Sequence, residues 1–140
     1  MAAGEGTDIQ GPLPVLLAML VCEQVITDKD TNKKSLIGIF DQLHIREFPA
    51  SFSMTVFARI ADAKGKYSLK LELAHLQDDK IVEESHGFAD IENRTSTHDL
   101  LFNLPIVIPK EGFYEFRLYA NNAYLGRAAF QAVHERGEVK

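Results

Sequence analysis

From about Ser53 onward, apolar and polar residues alternate with period two. Tyr67, Leu69, Leu71 and Leu73 fall on one face, and Ser68, Lys70 and Glu72 on the other. Tyr114, Phe116 and Leu118 repeat the pattern against Glu115 and Arg117. Met54, Val56, Ala58 and Ile60 alternate with Ser53, Thr55 and Arg59, with Phe57 breaking the polar face. Successive side chains of an extended strand point to opposite faces, so this period marks half-buried strands. Polar breaks bearing Gly, Pro, Asn or Asp separate the runs: Asp28 to Lys34, Ala63-Lys64-Gly65-Lys66, Gln77 to Lys80, Pro109 to Gly112, and Asn121-Asn122. These residue types supply the positive φ or the preset proline angle that tight turns require.

The breaks predict strands near 15–26, 35–46, 53–61, 67–76, 81–91, 99–108, 113–120 and 124–133. Turns at short, regular spacing favour a sandwich or barrel over alternating β and α units. The expected fold is all-β: an antiparallel β-sandwich of about eight strands, immunoglobulin-like or C2-like. A single domain is expected over 12–134, with a flexible N-terminal tail at 1–11 and a flexible tail at 135–140. The run Val15 to Cys22 is rich in helix formers, and a short apolar run is not typed by period alone. In the last strand Leu125 and Phe130 share a face only if a bulge intervenes.

Two stretches carry a resemblance. Leu20-Val21-Cys22-Glu23-Gln24-Val25-Ile26, a polar turn, and Ser35 to Asp41 are similar to the opening of an uncharacterised family of small bacterial β-sandwich proteins of unknown function. Glu111 to Asn122, then Leu125-Gly126, resembles that family's closing hairpin. The likeness runs from about Leu16 to Val133 and its motifs are structural. It implies a strand rather than a helix at 15–26, and a bacterial, non-secreted protein. It brings no functional residues.

Composition adds exclusions. The chain has 140 residues, 46% hydrophobic and 25% charged, with a formal net charge of −5. A nucleic-acid binder needs a basic stripe to neutralise phosphates. The densest basic cluster, Lys29, Lys33 and Lys34, is interrupted by Asp28 and Asp30. Neither nucleic acid nor a membrane surface is an expected partner. The apolar run at 15–22 lacks the preceding positive charge of a signal core and falls short of a membrane span. A cytoplasmic location is expected. Cys22 is the only cysteine, so no disulfide forms within the chain.

Candidate chemistry is weak throughout. Cys22 lies in an apolar strand, where burial opposes thiolate formation. His44, His75, His86, His98 and His134 show no i, i+2 or i, i+4 pair. With Asp78-Asp79 as a turn, His75 lies opposite Val82 and His86 opposite Leu71. Glu83 and Glu84 are strand neighbours and point to opposite faces. If consecutive strands alternate in direction, Asp28, Asp30, Asp62 and Glu92 gather at one end, with Asn93, Asn121 and Asn122. Lys29, Lys33, Lys34, Lys64, Lys66 and Arg94 gather there too, which opposes the concentrated negative charge that calcium wants. Asn93-Arg94-Thr95 matches a glycosylation acceptor, without meaning in a non-secreted chain. No phosphate loop, nucleophile elbow or dinucleotide fingerprint is present.

No catalytic, cofactor or metal residue is therefore assigned. Phe57 and Tyr119 form a candidate interaction patch if they share one outer surface; the alternative is that a loop or tail covers them. The expected function is a non-catalytic protein-binding or scaffold module. A small-ligand carrier with an apolar pocket lined by residues such as Phe102, Phe116 and Phe130 is second. An enzyme whose site is assembled only in the fold is third. Monomer and homodimer are equally expected, the latter through an unpaired edge strand.

Overall fold

The computed structural model describes residues 12–94 and 96–136. The expected tail 1–11 and most of 135–140 lie outside them. Nine strands occur among the described residues: β1 (Val15–Thr27), β2 (Lys34–Ile39), β3 (Gln42–Ile45), β4 (Ala50–Ala61), β5 (Gly65–His75), β6 (Lys80–Ile91), β7 (His98–Ile108), β8 (Gly112–Ala120) and β9 (Ala123–His134). They form two packed sheets, ordered β3-β9-β8-β5-β6 and β2-β1-β4-β7. The chain is an all-β sandwich. The run at 15–26 is a strand, and its pairing with β4 and β2 overrides the helix propensity of Leu, Ala and Met.

The expected strand 35–46 is two strands in different sheets. Gly38 sits at φ +70°, and a Cβ there would stand 2.6 Å from the Glu23 carboxyl group. The chain then crosses at Phe40-Asp41, and β3 pairs with β9 in parallel, Gln42 beside Gln131 through Ile45 beside His134. This extra strand breaks simple alternation. β4 runs antiparallel to β1, Val15 pairing with Ala61 and Cys22 with Thr55.

Two registers show the cost of reading pairs from turns alone. His75 pairs with Lys80 and His86 with Lys70, not with Val82 and Leu71, because the turn occupies residues 76–79 instead of centring on Asp78-Asp79; the bulge at Leu73/Ala74 then recovers one of the two residues of difference. The bulge required in the last strand is present, between Tyr124 and Gly126. It brings Gly126 against Leu16, so closely that a side chain at 126 would overlap the leucine. The two sheets nearly touch along this seam between β1 and β9.

The core fills from both inner faces. Val21, Met54, Val56, Ile106 and Ile108 of one sheet meet Leu71, Leu73, Phe116, Leu118 and Phe130 of the other. A second cluster around Ile60, Tyr67, Leu69 and Ile91 closes one end. There the Tyr67 hydroxyl donates to Pro12 O at 2.7 Å and accepts from Lys64 N–H at 2.9 Å. At the other end the Tyr114 hydroxyl donates to Lys110 O at 2.5 Å, locking the β7–β8 turn to the core. Buried aromatic hydroxyls need such partners, and these two pin the chain where it enters a strand.

Candidate functional site: an apolar strip on the first hairpin

β1 uses two different neighbours. Residues 15–22 pair with β4, and residues 22–27 pair with β2. The β1–β2 ribbon therefore leaves the body of the sheet after Cys22. Asp28 shapes its turn: the carboxylate accepts from the N–H groups of Asp30 at 2.8 Å and Thr31 at 3.2 Å, and Asn32 supplies a positive φ of 61°. Lys34 Nζ reaches Asp99 Oδ2 at 3.8 Å. A straight continuation of β1 past Thr55 would run toward Ser53, away from Asp99, so the ribbon turns back over the outer face of β4 and β7.

The ribbon's faces follow from this anchor. Val25 pairs with Leu36, and Thr27 with Lys34, so Val25, Leu36 and Lys34 share a face. That face looks toward the sheet, and Val25 and Leu36 are half-buried. Ile26, Ile37 and Ile39 occupy the opposite face and are exposed. Leu20 and Ile39 also line one open groove of about 500 Å³ with Met19, Phe40, Asp41 and Arg127. Val15 and Leu17 extend the exposed apolar surface back along β1.

Beneath the ribbon lies Phe57. It stands on the outer face of β4, in line with Leu20 of β1 and Leu101 of β7. Only 6% of it is exposed. The Arg59 guanidinium covers it at 5.7 Å from the ring centroid. Tyr119 is on the other sheet, where Lys70 Nζ sits 4.6 Å above its ring and Tyr124 meets it edge-on at 5.6 Å. The structure does not bring Phe57 and Tyr119 to one surface; they stand on different sheets. The strip on β1 and β2 was missed because Ile26, Ile37 and Ile39 read as ordinary core positions of a half-buried strand.

Electrostatics around the strip centre on Asp99. Arg59 Nε and Nη2 donate to its two oxygens at 2.7 and 3.0 Å. These bonds, against a smaller effect of burial, hold the Asp99 carboxyl below the usual carboxylate range. On the outer face of the five-stranded sheet, buried Glu115 accepts from Arg117 at 2.6 Å and from Arg127 at 3.1 Å. At the far end His75 is buried; its Nε2–H donates to Glu111 O at 3.0 Å, and Nδ1 accepts from Asp78 N–H at 3.4 Å. Asp78 in turn pairs with Lys110, which lowers its carboxyl pKa.

The remaining candidates stay apart. Cys22 is fully buried, and desolvation raises its thiol pKa. Among the described residues no three His, Cys, Asp or Glu side chains converge in a way that could hold a metal ion. The expected gathering of Asp28, Asp30, Asp62 and Glu92 does not produce such a group, since β3 interrupts the alternation that it assumed. Thr95 lies outside the described residues. Phe116 and Phe130 pack on each other at 5.9 Å, and Phe130 stacks on Tyr114 at 5.4 Å, within the core itself.

Comparison with known proteins adds membership without chemistry. Residues 17–133 match the model of a family of unknown function. No curated protein matches the chain.

Proposed function

We propose that this chain, which belongs to the family of unknown function DUF6941, is a non-catalytic protein-binding or scaffold module that docks its partner on the β1–β2 strip. One observation carries the reading. Fourteen large hydrophobic side chains are exposed among the described residues, and seven of them lie between Leu13 and Ile39. Scattered apolar residues on a surface need no explanation, but a concentration on one element marks a contact site. The ribbon is also held to the sheet by a few side chains rather than by a ladder, which suits a surface that adjusts to a partner.

A bacterial, cytoplasmic setting belongs to the same reading; a single buried, unpaired cysteine is compatible with it. The carrier reading has less support, because two of the phenylalanines that would line its pocket, Phe116 and Phe130, are packed against one another. An enzymatic reading has less support: of the two charged residues that line the groove beside Ile39, Asp41 and Arg127, the arginine is paired with Glu115.

The test is site-specific crosslinking in the native cell, with a photoreactive residue at Ile39 and, as a control, at Val107 on the far edge. The expected result is one or a few discrete adducts from position 39 alone, abolished by Ile37→Lys in a chain that still folds. Identical adducts from both positions, or adducts indifferent to Ile37→Lys, would remove the strip from its role.

A further inference from the structure

We propose that the chain forms a two-fold dimer by antiparallel pairing of β6 with β6 of a second copy, with Phe88 facing its own symmetry mate. This surface is on the sheet opposite the hairpin strip and does not depend on it.

The sandwich has four edges, and three are unsuited to pairing. β2 is interrupted by Gly38 at φ +70°, β3 has only four residues, and β7 carries Pro105 in mid-strand. Pro, short length and a kinked backbone are the usual ways of blunting an edge. β6 is the outermost strand of its sheet, twelve residues long, with no proline and no positive φ. Its one irregularity, the bulge opposite Leu73/Ala74, lies at its start and leaves residues 83–91 regular.

Phe88 lies in that regular part. It is 86% exposed, more than any other large hydrophobic side chain among the described residues. Its register partner Ser68 places it on the outer face, since Tyr67 and Leu69 are in the core. It borders an open groove of about 510 Å³ shared with Lys66, Ser68 and Asn121. A core position does not explain this residue, because nothing among the described residues covers it.

The choice of occupant follows from register. In an antiparallel two-fold pair, one residue faces itself and the others pair symmetrically about it. With Phe88 at the axis, His86 faces Asp90 of the other copy, and Asp90 faces His86. On the inner side Ser85 faces Ile91, and Gly87 faces Ala89. No like charges oppose each other inside this overlap; immediately beyond it Glu84 faces Glu92, which ends the pairing at residues 85–91. Shifting the axis to Gly87 would set Glu84 against Asp90, and shifting it to Glu84 would set that residue against itself, both unfavourable. Gly87 supplies a further match. A Cβ built there meets nothing within 4 Å, so the inner side of this edge has room that the facing Ala89 methyl would enter. The Phe88 pair then supplies the aromatic cross-strand contact, and the two five-stranded sheets become one of ten strands.

Sedimentation velocity and light scattering up to about 100 µM test the dimer, a range in which a small edge interface is populated. The wild type is expected to be a dimer, and Phe88→Glu to weaken it at least about tenfold. Phe88 contributes little to its own chain's packing, so the variant keeps its fold. Phe88→Cys tests the register, since it alone places two thiols face to face; His86→Cys does not. A disulfide-linked dimer from Phe88→Cys, with none from His86→Cys, is the expected result. A monomeric wild type, a Phe88→Glu protein that dimerises as before, or equal crosslinking by both cysteine variants overturns the proposal.

Discussion

Lys34 Nζ lies 3.8 Å from Asp99 Oδ2, although Lys34 begins an edge strand and Asp99 belongs to the strand at the opposite edge of the same sheet. The contact spans β1 and β4 and requires the first hairpin to return over the outer face. It converts Phe57 from a surface aromatic into a covered one. It also turns the isoleucines of the ribbon's far side toward solvent.

Asp99 is therefore expected to act as the hairpin's clasp. Asp99→Asn should cost about 1–2 kcal/mol, reduced from a buried-pair value because the Arg59 side chain is well exposed and screened. Hydrogen exchange over Lys34–Ile39 should rise in the variant while that of β8 stays unchanged. The same pair sets a pH dependence. Arg59 holds the folded-state pKa of Asp99 below its unfolded value of about 3.9. The stabilisation is complete above that unfolded value and is lost as pH falls through the folded pKa. Acid titration of the wild type should show this loss, and Asp99→Asn should flatten it.

Phe57 and Phe88 should behave oppositely despite both being aromatic residues at outward strand positions. Phe57→Ala removes a covered ring and should destabilise the chain by about 3–4 kcal/mol. Phe88→Ala should leave the midpoint of chemical unfolding of the monomer nearly unchanged. Urea denaturation at low protein concentration distinguishes them.

Two glycines admit no side chain, for unequal reasons. Gly112 has φ +140°, and a Cβ there would overlap Nε2 of buried His75. Gly112→Ala should cost about 2–4 kcal/mol, from backbone strain and from displacement of a packed ring. At Gly126 the obstructing atom is the end of the Leu16 side chain, which can rotate away. Gly126→Ala should cost about 1–2 kcal/mol, and thermal unfolding should rank the two accordingly.

Tyr114→Phe keeps the ring on His75 and Phe130 and deletes only the hydroxyl that donates to Lys110 O. A loss of about 1–2 kcal/mol is expected, since a part-buried hydrogen bond between the core and the turn is lost. An unchanged unfolding midpoint would show that the turn is held by Asp78 and Lys110 instead.

The chain's own order of residues determined the strands, because a period of two with polar turns leaves a sheet as the only way to bury one face. Tyr67 to Leu73 and Tyr114 to Leu118 are core where alternation puts them, and the bulge near Leu125 follows from parity alone. Tertiary structure decided everything that depends on which strand neighbours which. The split at Phe40-Asp41, the cover over Phe57 and the open edge at Phe88 all arise from how distant segments pack. Alternation records only that a side chain points away from its own neighbours' face; whether that direction meets solvent, a returning ribbon or a second copy is set by the rest of the fold.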